Sequence, residues 1–514
     1  MASVRTTSDP RQHGPRPRER SPRGAAPSAE ALRREVAAAT PRDRKRALGQ
    51  FMTPEPVARF MASMFRRARP GPLSLLDAGA GFGALAAAAL DRWRRGELGT
   101  GPMRVVAHEL DERLRPHLEG VLARYRADGA EVRVLGGDYL AQAAAAIEAG
   151  RRELTHAILN PPYKKIAAAS DARLQCRRAG LETVNLYAAF VGLALAQLRP
   201  GGQLVAIVPR SFCNGPYYRP FRRFVLERAA IRRIHLFEAR DHAFGDDDVL
   251  QENVIVLLER DAGQAPVTIT TSRDARFEDL AEREVPFAEI VSPGDAELFI
   301  RVPTTGERDP LATAPGVRYK LADLGLAVST GPVVDFRLRE HLAPMPARGT
   351  VPLLYPAHVS GRDPAWPLEG GKKPNAIARN ADTERWLFPA GVYTVVRRFS
   401  SKEARRRVVA SVVAPDALPG AAAIGFENHL NVFHANRAGL APEIAWGLFA
   451  YLSCTAVDDH VRRFNGHTQV NATDLRALPY PSPGALGELG RWAARTPDLD
   501  QREIDRRVRR LVAR

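Results

Sequence analysis

Leu159-Asn160-Pro161-Pro162-Tyr163 sets an amide, two prolines and a phenol ring side by side at the end of the apolar run Ala157-Ile158-Leu159. Two prolines fix two φ angles and remove two N–H donors, so the carbonyls of Asn160 and Pro161 are held as acceptors. That arrangement suits an exocyclic amine that must be held, desolvated and stacked. An ordinary Pro-rich corner after a strand uses the same residues, and the pentapeptide alone does not separate the two readings. Further upstream, Leu75-Leu76-Asp77-Ala78-Gly79-Ala80-Gly81-Phe82-Gly83 reads as a strand, a Gly-rich turn and a helix start. Glycines there let a ligand approach the backbone. With Ala84 the turn also satisfies G-x-G-x-x-A, which keeps a nicotinamide or flavin enzyme open. Glu109 ends a second strand, where a carboxylate can accept both hydroxyls of a ribose. It lies farther from Asp77 than the usual spacing of about 20 residues, implying an insertion near Gly96–Met103. Asp138 ends a third strand and can accept from an adenine amine. Each acid singly also reads as a cap or a solvated loop residue; together, at three successive strand ends, they outline one site.

The elements that must position these residues alternate. The pattern predicts helix 55–68, strand 73–77, helix 83–95, strand 104–109, helix 111–127, strand 131–135, helix 139–149 and strand 155–159. A long apolar helix 185–198, strand 203–208, helix 217–228, strand 232–237 and strand 252–259 follow. This rhythm predicts an α/β, doubly wound Rossmann-like sheet over 29–262, with ligand at the carboxyl ends of the strands. Residues 1–28, rich in Arg, Pro, Ser and Gly, predict a disordered basic tail. A short helix is expected at 29–39. After about 262 the rhythm breaks: a linker is expected over 263–315, a mixed, irregular second domain over 316–484, and one charged helical tail over 485–514.

Composition narrows the partners. Lys and Arg number 75 against 58 Asp and Glu, a formal charge of +17 and a pI near 10.3, which favours a polyanion. Cys176, Cys213 and Cys454 are far apart and form no metal-binding spacing, so no metal is expected and a reducing cytoplasm fits. Neither an apolar run of membrane-spanning length nor a signal-peptide core is present, so no membrane partner is expected.

In order along the chain, Gly49-Gln50-Phe51-Met52-Thr53-Pro54, Asp77-Ala78-Gly79-Ala80-Gly81, Glu109, Asp138 and Asn160-Pro161-Pro162-Tyr163 resemble the motifs of S-adenosylmethionine-dependent DNA adenine-N6 methyltransferases. Cofactor motifs first, catalytic turn next and recognition region last is the gamma arrangement of bacterial type II restriction-modification methyltransferases. The resemblance continues through Asn185-Leu186-Tyr187, Pro209–Gly215, Phe244–Asn253 and Phe464–Leu475, covering about 45–480. It implies that Phe51 and Thr53 hold the amino-acid end of S-adenosylmethionine. Asp77, Gly79 and Gly81 line its methionine and ribose, Glu109 takes the ribose hydroxyls, and Asp138 takes the adenine amine with Tyr139 behind the ring. It also implies that Asn160 and Pro161 bind the two N–H groups of a flipped adenine's N6, whose lone pair is otherwise delocalised into the ring. Out-of-plane acceptors favour a tetrahedral nitrogen aimed at the methyl. The cationic product amine loses its proton easily, so no strong base is required. Tyr163 would stack on one face of the base. Phe244 would take the other face or be a core Phe, with Phe212 as a weaker alternative.

Lys164 and Lys165, and then Arg173, Arg177 and Arg178, offer cations for a duplex path past the flipped base, or a solvated loop. In the second domain Arg397, Arg398, Ser400, Ser401 and Lys402 can grip phosphates. Arg405-Arg406-Arg407 can also form a charged helix face. Asn428, His429, Asn431, Asn465 and His467 concentrate groups that either read base edges or satisfy loop backbone. His358, His429 and His467 lack metal spacing and are expected to be structural. The partners expected are therefore duplex DNA and a cognate restriction endonuclease acting separately. Release-factor glutamine methyltransferases and some RNA methyltransferases carry similar catalytic turns, and a DNA-recognition subunit without chemistry is a further class. The large second domain counts against the first two, and the intact turn with three acids against the last.

Overall fold

The computed structural model describes residues 53–237, 252–303, 309, 311, 314–400, 404–464 and 469–512. The basic tail, the helix expected at 29–39, and Phe51, Phe244, Ser401, Lys402, Asn465 and His467 lie outside the described residues.

Helix α1 (Glu55–Ser63) precedes β1 (Leu73–Ala78), α2 (Ala84–Arg94) precedes β2 (Met103–His108), and α3 (Arg115–Ala127) precedes β3 (Glu131–Leu135). Helix α4 (Tyr139–Glu148) leads to β4 (Leu154–Leu159), and α5 (Asp171–Arg178) and α6 (Leu186–Gln197) lead to β5 (Leu198–Pro209). Then come α7 (Arg219–Arg228), β6 (Ala229–Phe237), β7 (Asn253–Arg260), β8 (Val267–Ser272), β9 (Ala281–Val285) and a single turn, α8 (Phe287–Ile290). The nine strands form one sheet in the order β3-β2-β1-β4-β5-β7-β6-β8-β9. Strands β1 to β5 are parallel, and β7 is antiparallel to both neighbours.

The fold is therefore the expected Rossmann-like α/β sheet, but it does not end near 262. Residues 267–285, within the expected linker, add a parallel strand beside β6 and an antiparallel edge. The edge strand β9 reads Ala-Glu-Arg-Glu-Val, and its charged side chains blunt an otherwise open edge.

Both faces of the sheet are covered, which explains the uninterrupted apolar strands. Helix α6 is apolar all round and ten of its twelve residues are buried. A helix with no polar face has to lie inside the protein. It packs with β4, β5 and α7 in one core, while α1 to α3 cover the other face. The strand order reverses between β1 and β4, which lie side by side with Asp77 opposite Ile158. That reversal leaves a crevice at the carboxyl ends of both strands.

The second domain contains β10 (Val317–Tyr319), β11 (Ala327–Thr330), β12 (Leu342–Ala343), β13 (Thr350–Leu354), β14 (Ala376–Ala378) and β15 (Leu387–Pro389). Strands β16 (Tyr393–Arg397), β17 (Ala410–Val413), β18 (Ala423–Phe426), β19 (Leu430–His434) and β20 (Tyr480–Pro481) complete it. They make an antiparallel sheet β11-β19-β16-β17, a mixed sheet β12-β14-β13-β18-β15 and the pair β10-β20. Helices α9 (Pro442–Leu452), α10 (Thr455–Phe464), α11 (Ala472–Arg476), α12 (Pro483–Arg495) and α13 (Gln501–Val512) close the chain. Helices α9 and α12 touch through their backbones: a Cβ at Gly490 would overlap the Glu443 carbonyl. The tail expected as one helix is two, because Pro497 has no N–H to continue α12.

Candidate active site

Asp77 is the penultimate residue of β1 and fully buried. Its Oδ2 accepts the N–H of Ala86, in the first turn of α2, at 3.0 Å, while Oδ1 has no partner. Burial pushes its carboxyl up to about 7; the Ala86 bond opposes the rise and the Glu109 charge adds to it. Glu109, just past β2, is also buried and raised by burial. Its two oxygens accept N–H bonds from Gly81 and Asp111, each at 2.8 Å. Gly81 sits at φ +56°, where a side chain would add strain, and its amide is thereby aimed at the carboxylate.

The exposed Asp138 caps α4, its Oδ1 accepting the Leu140 N–H at 2.9 Å. The Tyr139 ring is buried 5.1 Å from His108 and 5.0 Å from Phe190, its hydroxyl accepting from Gln197. Phe190 also lies 3.7 Å from where a Cβ on Gly79 would stand. Asp77, Gly79, Gly81, Glu109 and Asp138 thus line the ends of three adjacent strands. Among the described residues no Lys or Arg donates to Asp77 or Glu109.

The Asn160–Tyr163 turn leaves β4 next to this cradle. Asn160 Nδ2 donates to Thr53 Oγ1 at 3.0 Å, and Tyr163 OH donates to Asn160 Oδ1 at 3.3 Å. The Tyr163 hydroxyl also reaches the Ile207 carbonyl on β5 at 3.3 Å, and its ring meets Tyr187 edge-on at 6.1 Å. Thr53, Asn160 and Tyr163 therefore form one connected set, joining the lead-in of α1 to the turn. The segment after the turn is clamped by Leu186 N–H to Lys164 O and Ile166 N–H to Val184 O, both 2.8 Å. This explains why Asn185-Leu186-Tyr187 accompanies the turn in the sequence. Phe212, the alternative second ring, is buried in the core against Phe221 and presents no open face.

Residues 156–244 match the family model described as Eco57I restriction-modification methylase. The type II methyltransferase M.BsuBI of Bacillus subtilis is 46% identical over 478 residues, covering 91% of this chain and 94% of its own length. The type II methyltransferase M.PstI of Providencia stuartii is 41% identical over 452 residues, covering 86% of this chain and 88% of its own. This chain belongs to the type II restriction-modification methyltransferases. A solved structure of the type IIL restriction-modification enzyme MmeI in complex with DNA shares the fold, with a TM-score of 0.51 at 10% identity over 94% of this chain and 75% of that one.

Within this methyltransferase the cations expected on nucleic acid divide sharply. Lys164 and Lys165 are exposed beside the turn. Arg173 and Arg177 are instead ion-paired to Glu182, and Arg178 to Glu148. Arg397 donates to the Val359 carbonyl. Arg398 donates to Asn471 Oδ1, Asn428 O and Gln469 Oε1 at 3.2–3.3 Å. Both guanidiniums hold the second domain's own loops. Arg407, with its backbone N–H on Asp458, is likewise buried rather than part of a charged helix face. Asn431 Nδ2 donates to the Val470 carbonyl, so its amide serves buried backbone. His358 is structural as expected, accepting from Tyr355 N and bonded to Asn375. Among the described residues no group of His, Cys, Asp and Glu is placed to hold a metal ion.

Two polar anchors gave no separate signal in the sequence. Arg210 pairs with Glu252 at 2.7 Å, both 4% exposed, and its other nitrogen donates to the Arg463 carbonyl of α10. Arg222 is fully buried, its guanidinium donating to the Phe212, Gly215 and Glu297 carbonyls. Arg210 lies in a short turn with no apolar periodicity, where charge reads as surface, and Arg222 is a charge on the buried face of α7, beside Phe221, Phe224 and Val225.

Proposed function

We propose that this chain is a site-specific DNA methyltransferase that transfers a methyl group from S-adenosylmethionine to N6 of an adenine flipped out of duplex DNA. It would act as the modification part of a restriction-modification system whose endonuclease is a separate protein. The observation that supports this most is the Asn160 amide: Thr53 takes its nitrogen, which leaves Oδ1 as an acceptor beside the Pro161 carbonyl. Two neighbouring acceptors match the two N–H groups of one exocyclic amine. The Tyr163 hydroxyl now on Oδ1 is the group the amine would replace.

The cradle fits the cofactor. An unpartnered buried carboxylate oxygen on Asp77 calls for a cation or a donor, and S-adenosylmethionine offers a sulfonium, an ammonium and hydroxyls. When bound, it supplies an electrophilic methyl group. Asp77 and the Gly79–Gly81 backbone would hold its methionine end with Thr53 and Phe51, Glu109 the ribose, and Asp138 with Tyr139 the adenine. Asn160 and Pro161 would orient the target amine and Tyr163 its base, with Phe244 on the opposite face. Lys164 and Lys165 would meet the duplex backbone, with Lys402, Asn465 and His467 as further candidates in the second domain, which would recognise the target; Arg397 and Arg398 would support its loops from behind. A cytoplasmic, nucleoid-associated protein follows from that substrate.

The test is incubation with labelled S-adenosylmethionine and duplex DNA, RNA or release factor, followed by identification of the product. Label on N6 of DNA adenine is the expected outcome. Label on RNA or protein, with none on DNA, would overturn the proposal.

A further inference from the structure

One turn of the second domain exposes chemistry that the buried amides around it do not. Glu427 has no exposed surface, yet it takes two bonds from His429: the backbone N–H at 2.9 Å and the ring Nδ1 at 2.6 Å. The imidazole is therefore held at its base while 43% of its side chain faces solvent. With Nδ1 turned to the carboxylate, Nε2 is the outward edge. Phe399 stands beside it, ring centroids 4.9 Å apart, and is itself 41% exposed. Asp335, whose carboxylate lies within electrostatic reach of His429 and Glu427, is paired with Lys373 at 2.7 Å, and the exposed Phe336 that follows it carries the Arg337 guanidinium. The Arg337 guanidinium and the +17 chain suit a polyanion more than an apolar protein partner.

The turn is held from within the domain: the Arg398 N–H donates to the His429 carbonyl, and the Arg398 carbonyl accepts from the Val470 N–H. We infer that His429 and Phe399 read one base pair of the recognition sequence, Nε2 hydrogen-bonding a base edge in the major groove with Phe399 packed alongside and Glu427 positioning the imidazole. An imidazole edge accepts from a base amine when neutral and donates to guanine when protonated. The inference rests on the DNA methyltransferase reading above.

The test is to express the full-length chain and the variants His429→Ala, His429→Gln, Phe399→Ala and Glu427→Gln in a host lacking adenine methylation, and to map modified sites by long-read sequencing. Relaxed sequence preference at one position is expected, with roughly 10- to 100-fold lost discrimination between cognate and single-mismatch duplexes for His429→Ala. Phe399→Ala removes only a half-exposed ring and covers the case in which His429→Ala fails to fold. A wild type that methylates DNA while every soluble variant keeps the same sequence and the same kcat/KM overturns this inference alone. A wild type that methylates no DNA overturns the underlying reading as well.

Discussion

In the proposed reaction Asn160 and Asp77 would perform opposite tasks from adjacent strand ends. Asn160→Ala removes one of two acceptors but no buried charge, so folding and DNA binding should persist. Turnover should fall by at least about 100-fold, the scale of losing one preorganised polar group in a dry site. Single-turnover kinetics with a gel-shift control checks this, and undiminished turnover would refute the role. Asp77 carries a pH signature. Its carboxyl is raised to about 7 by burial, so between its ordinary value near 4 and about 7 the folded protein binds the proton more tightly than the unfolded chain. Without cofactor, stability should therefore decline as pH rises through that window. Binding of the cationic cofactor prefers the ionised carboxylate, so its affinity should climb over the same interval and level off above about 7. Calorimetric titration from pH 5.5 to 8.5 reads the climb directly; in Asp77→Asn it should vanish, and a wild-type affinity flat in pH would remove Asp77 from the cofactor's electrostatics.

Each element places its functional residue by backbone geometry, and the buried anchors keep the elements in register. Arg210 and Glu252 join β5, β7 and α10 in one desolvated spot. Arg210→Met removes the guanidinium from the buried Glu252 carboxylate and should cost about 3–5 kcal/mol, whereas Arg210→Met with Glu252→Leu should regain much of that loss. Equilibrium denaturation of the full chain in urea decides it; equal destabilisation by both would show that the pair's geometry, not its desolvated charge, matters. Strands β1 to β7 were legible in the sequence to within a few residues, because buried parallel strands are apolar runs between amphipathic helices. The strand-end positions of the three acids and of the Asn160–Tyr163 turn were legible because a strand end next to glycine or proline leaves few alternatives. The extension by β8 and β9 was not, since Val-Thr-Ile-Thr-Thr-Ser and Ala-Glu-Arg-Glu-Val lack the helix that would mark a crossover. Nor were the fates of Arg173, Arg397 and Arg398: an arginine next to a turn carries the same letter whether it meets a phosphate or a carbonyl across the domain. His429 shows the converse, since only the buried Glu427 two residues away reveals that its ring is aimed outward.

At the scale of the whole molecule, +17 spread over 514 residues sets how the protein finds its substrate. Ion pairs within the chain, such as Arg173 and Arg177 with Glu182, Arg178 with Glu148 and Arg210 with Glu252, are already cancelled in that figure, which is what 75 cations leave after 58 acids. Only the part of the excess that faces a duplex neutralises phosphates, so their number should be below the formal charge. Binding releases counterions, and log affinity falls against log salt with a slope near −0.9 per phosphate contact. A footprint of about 6–10 phosphates predicts a loss of roughly 10³- to 10⁵-fold between 50 and 200 mM salt. Fluorescence anisotropy with a duplex containing the modified site, across that range, measures the slope. Lys164→Ala and Lys165→Ala should each flatten it by about one unit while leaving the recognition sequence unchanged, since phosphate contacts carry no sequence information. His429→Ala should do the reverse, keeping the slope and blurring the sequence. A slope that Lys164→Ala and Lys165→Ala do not alter would move the duplex path away from the catalytic turn.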